Sequence, residues 1–196
     1  VIFLALVVWK MGPAIQCQAQ ARTLQINCTV HSPYERFFLD ILTILCQRND
    51  IDLKIEQPPV GRSLLMVNQG RSDGDGPRIG GLSSIYPNLV RVAEPFGEFH
   101  FGAFARSPLV QISGWSDLAD YNVAWVHGWK IFDEHVSSAK SIAKVKNKEL
   151  LFGLLAAGRT DVVLLTRTAG MAVIDQLALE DVWFVEPPLA VAPNFL

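Results

Sequence analysis

Hydrophobic and polar positions in the first third of the chain repeat with two different periods. Over residues 23–30 apolar and polar residues alternate, which predicts a strand. Ser32 and Glu35 follow at capping-box spacing, with Pro33 at the first helical position, and the apolar residues behind them recur every three or four residues. This second pattern predicts a helix, and renewed alternation over residues 51–55 predicts another strand.

The rest of the chain continues this succession of strands and helices. Further strands are predicted at residues 89–93, 96–105, 122–126, 141–145, 161–165 and 182–185. Helical segments are predicted at residues 61–69, 115–119, 147–157 and 168–177, with one more between the strands at 122–126 and 141–145. Strands that alternate with helices predict an α/β fold with mostly parallel sheets flanked by helices.

Arg106-Ser107-Pro108 is the best candidate for a crossing between two lobes, because a second series of strands and helices begins behind it. We therefore expect a first lobe at residues 22–106 and a second lobe at residues 107–190. Residues 191–196 would begin a return to the first lobe. We expect the rest of that return to be missing from this sequence, which would leave the first lobe incompletely covered.

The N-terminal segment has the pattern of a targeting signal. Residues 1–9 are all apolar, but this run is too short for a membrane span, which needs roughly twenty residues. A polar stretch follows and closes with Ala19-Gln20-Ala21, whose small residues are what signal peptidase accepts. We interpret residues 1–21 as the remnant of a secretory signal peptide, and a buried N-terminal strand is the alternative.

Two cysteines lie behind that segment, Cys28 on the first predicted strand and Cys46 on the helix after it. An exported protein meets an oxidising compartment, where the two would be able to pair as a disulfide. Both have apolar neighbours, and two separate buried thiols are the alternative that the sequence favours.

Charge and motifs argue against several classes of function. The formal net charge is −2 and there is no basic stripe, so we expect no nucleic-acid partner. None of the four histidines forms a ligand pair with a cysteine, and the glycines at residues 76–81 lack the lysine of a phosphate loop. We therefore expect no catalytic residue, no metal and no cofactor.

Polar and aromatic residues follow the predicted strands of the first lobe, at the edge where open α/β sheets place ligands. Tyr34 opens the first helix, and its ring would either wall a cleft or belong to the core. Arg62 follows the second strand, and Arg78 follows the turn at residues 73–76. Either guanidinium would hold a ligand carboxylate through two hydrogen bonds, or would be a solvated surface arginine.

The second lobe has corresponding positions. Gly128 and Trp129 lie between a strand and a helix, where free N–H groups suit an anionic group and glycine permits close approach. Trp129 would stack on the ligand, or would lie between the lobes. Thr166 and Arg167 follow the apolar strand at residues 161–165 in the same geometric position.

The order of motifs resembles the periplasmic solute-binding proteins of family 3, and most closely their transporter-substrate-binding-domain relatives. The segments that carry the resemblance are residues 59–64 (PVGRSL), 68–75 (NQGRSDGD), 86–92 (YPNLVRV), 115–118 (WSDL), 126–129 (VHGW) and 154–161 (LLAAGRTD). The resemblance implies a type 2 periplasmic-binding fold, in which two lobes close about a hinge over the ligand. It also implies that the carboxylate-binding arginine falls near Arg78 and the helix-start contact on Gly128 and Trp129. Thr166 stands about where the amino-acid binders carry an aspartate, which argues against an α-amino acid as ligand.

Three functions follow from these observations. The first is a monomeric periplasmic protein that captures a small polar, anionic molecule for a membrane transporter. The second is a ligand-sensing domain of a receptor or kinase. The third is a dehydratase-type enzyme on the same fold, for which only His127 and Glu98 lie near the expected cleft.

Overall fold

The computed structural model describes residues 22–30 and 32–196, without the side chain of Val60. The expected signal-peptide remnant, residues 1–21, lies outside the described residues. The strands are β1 Arg22–Asn27, β2 Ile51–Glu56, β3 Gly74–Asp75, β4 Arg78–Ile79, β5 Gly97–Ala105, β6 Asn122–Val126, β7 Ser141–Val145, β8 Val162–Thr166, β9 Trp183–Phe184 and β10 Ala190–Phe195. The helices are α1 Pro33–Arg48, α2 Val60–Asn68, α3 Lys130–His135, α4 Lys148–Ala156 and α5 Arg167–Leu177, with 3-10 turns at Leu82–Ser84 and Trp115–Asp120.

The start of α1 shows how local sequence determines an element. Ser32 caps the helix by accepting a hydrogen bond from the Tyr34 amide at 3.2 Å, and its hydroxyl donates to the Glu35 carboxylate. Pro33 occupies the first helical position, where its missing N–H costs nothing. The predicted helix and its predicted cap are therefore confirmed.

The strands form two sheets. The smaller sheet is parallel, in the order β2-β1-β3. The larger has seven strands in the order β4-β10-β5-β8-β6-β7, with β9 added beside β5. Its β8-β6-β7 part is parallel, whereas β5 runs antiparallel to β8, β9 and β10. The α/β class is thus confirmed, and the second sheet is mixed.

Two apolar clusters cover the two faces of the larger sheet. One contains Phe101, Trp125 and Phe132, and the other contains Phe104 and Phe152, all at most 4% exposed. The third cluster is smaller and joins α1 to the three-stranded sheet. Its buried members are Ile26, Cys28, Phe38, Leu42 and Cys46.

Strands β5 and β10 connect the two sheets. Phe101 of β5 is opposite Thr166 at the end of β8, and residues 97–100 continue beyond β8, paired only with β10. At the far end of β10, Leu196 packs into the cluster of the three-stranded sheet. The expected lobe boundary at residue 106 falls directly after β5, although strands from both sides of it join the larger sheet. The division into two lobes remains a prediction.

The predicted strand at residues 89–93 is not formed. This segment is irregular, and its one ladder-like contact is the Val92 amide donating to the Leu196 carbonyl at 3.0 Å. Val90 is 90% exposed. Alternating residues become a strand only where a neighbouring strand offers hydrogen bonds, and most of this segment lacks one.

None of the helices among the described residues has the length and apolar character needed to cross a membrane.

Candidate functional site

Aromatic rings form a continuous series along one face of β5. Tyr34 at the start of α1 lies 5.5 Å from Phe99, Phe99 lies 6.0 Å from Phe101, and Phe101 lies 6.1 Å from Trp129, all between ring centroids. Trp129 then stacks on Phe132 at 5.7 Å. Side chains alternate between the faces of a strand, so positions 99 and 101 share one face. The series connects the first turn of α1 with the first turn of α3.

Thr166 joins the same face. It lies directly opposite Phe101 in the antiparallel pair of β5 and β8, and residues paired in this way project to one side of a sheet. Thr166 is 7% exposed, yet its hydroxyl neither caps α5 nor bonds to another described residue. Three predicted site residues, Tyr34, Trp129 and Thr166, therefore meet around Phe99 and Phe101. We call this set of five residues the aromatic face.

The polar end of Tyr34 is already engaged. Its hydroxyl donates to Asn194 Oδ1 at 3.0 Å and accepts from Asn194 Nδ2 at 2.9 Å. A Cβ added at Gly97 would lie 2.4 Å from this hydroxyl oxygen, so only glycine fits beneath it. Burial raises the pKa of Tyr34, while the hydrogen bond with Asn194 opposes that rise. What Tyr34 offers to a ligand is therefore its ring.

Arg78 is held by a carboxylate of its own chain. Its Nε and Nη2 donate to the two oxygens of Asp75 at 3.1 and 2.9 Å, and the Asp75 side chain is only 3% exposed. These two parallel hydrogen bonds, the Arg78–Asp75 fork, use one edge of the guanidinium and leave Nη1 for another acceptor. Removing Arg78 outright would leave a buried carboxylate unpaired, so a ligand test needs a variant that keeps the positive charge.

Arg78 also lines a cavity of about 880 Å³ beside the three-stranded sheet. Apolar side chains of β1 and α2 form one wall, and the segment at residues 78–92 forms another. Leu196 lies at its margin. None of the other six predicted site residues lines this cavity.

The remaining predicted residues contribute no side chain to the aromatic face. Arg167 donates to Glu186 and lies 4.4 Å over the ring of Phe184, which packs against Gly102 on the opposite side of β5. Arg62 is exposed on the first turn of α2. Gly128 has a positive φ of 92° and open space around its α-carbon, which explains the glycine at this turn.

Burial raises the pKa of the Cys28 thiol, at the end of β1, to about 12. The charges of Glu35 and Asp75 raise this pKa further and that of Arg78 lowers it, so all four groups lie within electrostatic range. Cys28 and Cys46 are both free, buried thiols. Within residues 22–30 and 32–196, no three His, Cys, Asp or Glu side chains are grouped as metal ligands would be.

Sequence reasoning missed three residues of this region. Phe99 and Phe101 were visible as an alternating aromatic pair that predicted a strand with a covered face, but nothing local linked them to Trp129. Asn194 gave no signal, since its contact with Tyr34 joins residues 160 positions apart.

Comparison with known proteins gives a result at the level of structure only. No known protein family matches the sequence, and no curated protein matches it either. Among solved structures, the GluR0 ligand-binding core in complex with L-glutamate is similar at a TM-score of 0.72 and 15% identity, covering 91% of this chain and 84% of that one. Holo ArgBP from T. maritima is similar at a TM-score of 0.66 and 17% identity, covering 88% and 80%.

A third similar structure is a histidine kinase sensor domain with similarity to periplasmic binding proteins. Its TM-score is 0.67 at 14% identity, covering 89% of this chain and 81% of that one. At such low identity these likenesses concern the fold and not the activity. The chain has a fold of the type 2 periplasmic-binding-protein kind, as the resemblance in the sequence predicted.

Proposed function

We propose that this protein captures a small molecule between its two sheets and does no chemistry on it. The observation that supports this most is the convergence of Tyr34, Trp129 and Thr166, from three separate segments, on one face of a connecting strand. Ligands of open α/β folds bind at the carboxyl ends of the strands; Thr166 is the last residue of β8, and Trp129 follows the end of β6. Closure of two lobes about connecting strands is a known way to enclose a ligand.

The ligand that we propose is a small polar molecule with an anionic group. Arg78 supplies the positive charge, since Asp75 fixes its guanidinium along one edge and the Nη1 edge faces away from that pair. A guanidinium held in this way loses little side-chain entropy when it binds a carboxylate. Arg62, Gly128 and Arg167 remain secondary candidates for ligand contact.

The cellular role that we propose is delivery of solute to a membrane transporter by a monomeric protein exported to the periplasm. The signal-like pattern of residues 1–21 supports export. The similarity to ArgBP supports a binding role on this fold.

A second candidate is a ligand-sensing domain of a receptor or kinase. The similar fold of a histidine kinase sensor domain supports it. The complete reading frame separates the two candidates, because a transmembrane helix joined to a signalling domain would support the sensor and contradict the transporter partner.

The experiment is a thermal-unfolding screen of the mature protein with small carboxylates, amino acids, sugars and amines. A ligand at about one hundred times its Kd stabilises by about 2.7 kcal/mol, which raises Tm by roughly 5–10 °C in a protein of this size. We expect anionic compounds to give this shift. Stabilisation by sugars or amines alone would contradict the anionic ligand, and no shift with any compound would contradict capture.

Arg78→Lys tests the role of the guanidinium. Lysine keeps a cation beside Asp75 but cannot form the fork, so we expect the ligand-induced shift to fall by more than half while the ligand-free Tm changes little. Arg159→Lys is the matched control, because Arg159 is exposed after α4 and precedes the amino end of β8, whereas Thr166 lies at the other end of that strand. Equal ligand shifts in both variants would remove Arg78 from the site.

A further inference from the structure

We propose that the ligand carries two anionic groups, of which Arg78 binds one and Arg91 binds the other. This inference rests on the proposed function, in which Arg78 is the residue that binds the anionic group of the ligand. The observations that carry it are the position of both guanidiniums at one cavity and the lack of a carboxylate partner for Arg91 among the described residues.

Phe195 lies next to both arginines. In the antiparallel pair of β4 and β10 it is directly opposite Arg78, so the two side chains project to the same side of the sheet. The guanidinium carbon of Arg91 lies over the Phe195 ring, 4.4 Å from its centroid. All three residues line the cavity of about 880 Å³ beside the three-stranded sheet. The two guanidiniums therefore approach one cavity, Arg78 from β4 and Arg91 from the irregular segment behind it.

The Arg91 guanidinium is seated between the Phe195 ring and the backbone of Gly80. A Cβ built at Gly80 would lie 3.3 Å from Arg91 Nη1 and 3.7 Å from the ring, so a side chain there would crowd the guanidinium. Contact with an aromatic ring stabilises a guanidinium but supplies no oxygen acceptor for its N–H groups. No described residue accepts a hydrogen bond from Arg91 or forms an ion pair with it. Its position is thus fixed by packing while its hydrogen-bond donors remain available.

The two carboxylates that line the same cavity already have partners within the chain. Asp75 is bound by Arg78 through the Arg78–Asp75 fork. Asp73 Oδ2 accepts a hydrogen bond from the Gln25 amide at 2.8 Å, which holds this carboxylate against β1. The charge that remains for a ligand is therefore that of Arg91, together with the Nη1 edge of Arg78.

The lining of the cavity indicates what should join the two anionic groups. Leu24 of β1 and Leu64 and Val67 of α2 contribute apolar surface to it. Methylene groups of a ligand would be removed from water against these side chains, which favours binding. A ligand with one carboxylate would engage one arginine and leave the other to water. A short aliphatic chain with a carboxylate at each end satisfies both.

The test is isothermal titration calorimetry of the mature protein with succinate, glutarate and adipate, each compared with its own monoamide. A monoamide keeps the length of the diacid but replaces one carboxylate by a neutral group. Hydrogen bonds between charged groups are stronger than those to neutral groups, so we expect at least one diacid to bind about tenfold more tightly than its monoamide.

Equal binding of diacid and monoamide in every pair would overturn the second anionic group and leave the capture of a single anion intact. Failure of all six compounds to bind would overturn the dicarboxylate ligand. The proposed function would fall with it only if every compound of the unfolding screen failed as well.

Arg91→Gln tests whether the preference for the diacid comes from Arg91. Glutamine removes the charge, so we expect the ratio of the two dissociation constants to fall to about one while the affinity for the monoamide changes little. Arg36→Gln is the matched control, because Arg36 is an exposed arginine of α1 that does not line the cavity.

An unchanged preference in Arg91→Gln, or an equal loss of preference in both variants, would overturn the role of Arg91. A parallel loss of affinity for diacid and monoamide would do so too, because it would mean that Arg91 only supports the packing of Phe195. If Arg91→Gln does not fold, the ratios measured on the unmodified protein decide alone.

Discussion

The two sheets are built from the same succession of strands and helices, but their surroundings differ. The larger sheet has an apolar cluster on each face, and side chains such as Phe104, Phe132 and Leu164 are fully buried there. The three-stranded sheet has one cluster with five buried members and a cavity of about 880 Å³ beside it. On α1, Phe37 is 55% exposed and Leu45 is 50% exposed.

This difference shows that a hydrophobic pattern predicts two separate things, the type of element and the burial of its apolar side chains. The period of apolar residues determines whether a segment forms a helix or a strand. Whether those residues become buried depends on a second layer that packs against them. In α1 the pattern produced the helix, yet only Phe38, Leu42 and Cys46 are buried. The same type of substitution should therefore have unequal effects in the two regions.

Truncating one buried phenylalanine in each region gives the largest expected effect. Phe104→Ala removes a ring that packs on Phe152 and Phe184 at 5.3 and 5.1 Å, and we expect it to lower the free energy of unfolding by about 3–5 kcal/mol. Phe38→Ala, in the smaller cluster, should cost at least about 1 kcal/mol less, because its neighbours can relax toward the cavity. Urea unfolding followed by circular dichroism measures both. A larger loss for Phe38→Ala would contradict the comparison.

Adding one methyl group tests the tightness of each region. A Cβ at Gly170 would lie 2.0 Å from the ring of Phe104, so we expect Gly170→Ala to destabilise by about 1–3 kcal/mol. Gly61 has open space around its α-carbon on α2, and Gly61→Ala should stabilise by about 0.5–1 kcal/mol through helix propensity. Thermal unfolding of both variants gives the sign of each effect. Stabilisation by Gly170→Ala would show that Phe104 moves aside easily, and destabilisation by Gly61→Ala would contradict the open space at α2.

The pH dependence of stability tests whether water is excluded from the Cys28 thiol in the cluster of the three-stranded sheet. The pKa of Cys28 is raised to about 12 from an ordinary 9.0, mainly by burial. A pKa that is higher in the folded state contributes stability that is fully present below about pH 9 and is lost as the pH rises toward 12. We expect the urea midpoint of the unmodified protein to fall more between about pH 8 and pH 10.5 than that of Cys28→Ala. Equal falls would mean that the Cys28 thiol is solvated.

The smallest expected effect concerns two buried polar atoms beside the three-stranded sheet. Ser63 Oγ and Asn27 Oδ1 are buried and have no hydrogen-bond partner among the described residues. Removing an unsatisfied hydroxyl removes its desolvation cost, so we expect Ser63→Ala to be neutral or to stabilise by up to about 1 kcal/mol. The exposed Ser83→Ala serves as the control in thermal unfolding. A clear destabilisation by Ser63→Ala would indicate a bound water that uses the hydroxyl.

Much of the fold was predictable because its signals are local. The cap at Ser32, the strands at residues 122–126 and 141–145 and the helices that flank them follow from neighbouring residues alone. The strand expected at residues 89–93 does not form. Its residue types suit a strand, but most of the segment has no neighbouring strand to hydrogen-bond with. Arg167 was predicted by its place after β8. Its side-chain partners are Phe184 of β9 and Glu186 just behind that strand, which are distant in sequence.

The sequence by itself determined most of the strands and helices, though not β3, β4 and β10, and the strand-end positions of Tyr34, Trp129 and Thr166. Only the tertiary structure decided that these three residues share a face, that Asp75 holds Arg78, and that Asn194 holds Tyr34. The physical reason is that the side of a sheet on which a residue lies depends on the register between strands. That register joins residues far apart in the chain, such as Phe101 and Thr166, and no local pattern records it.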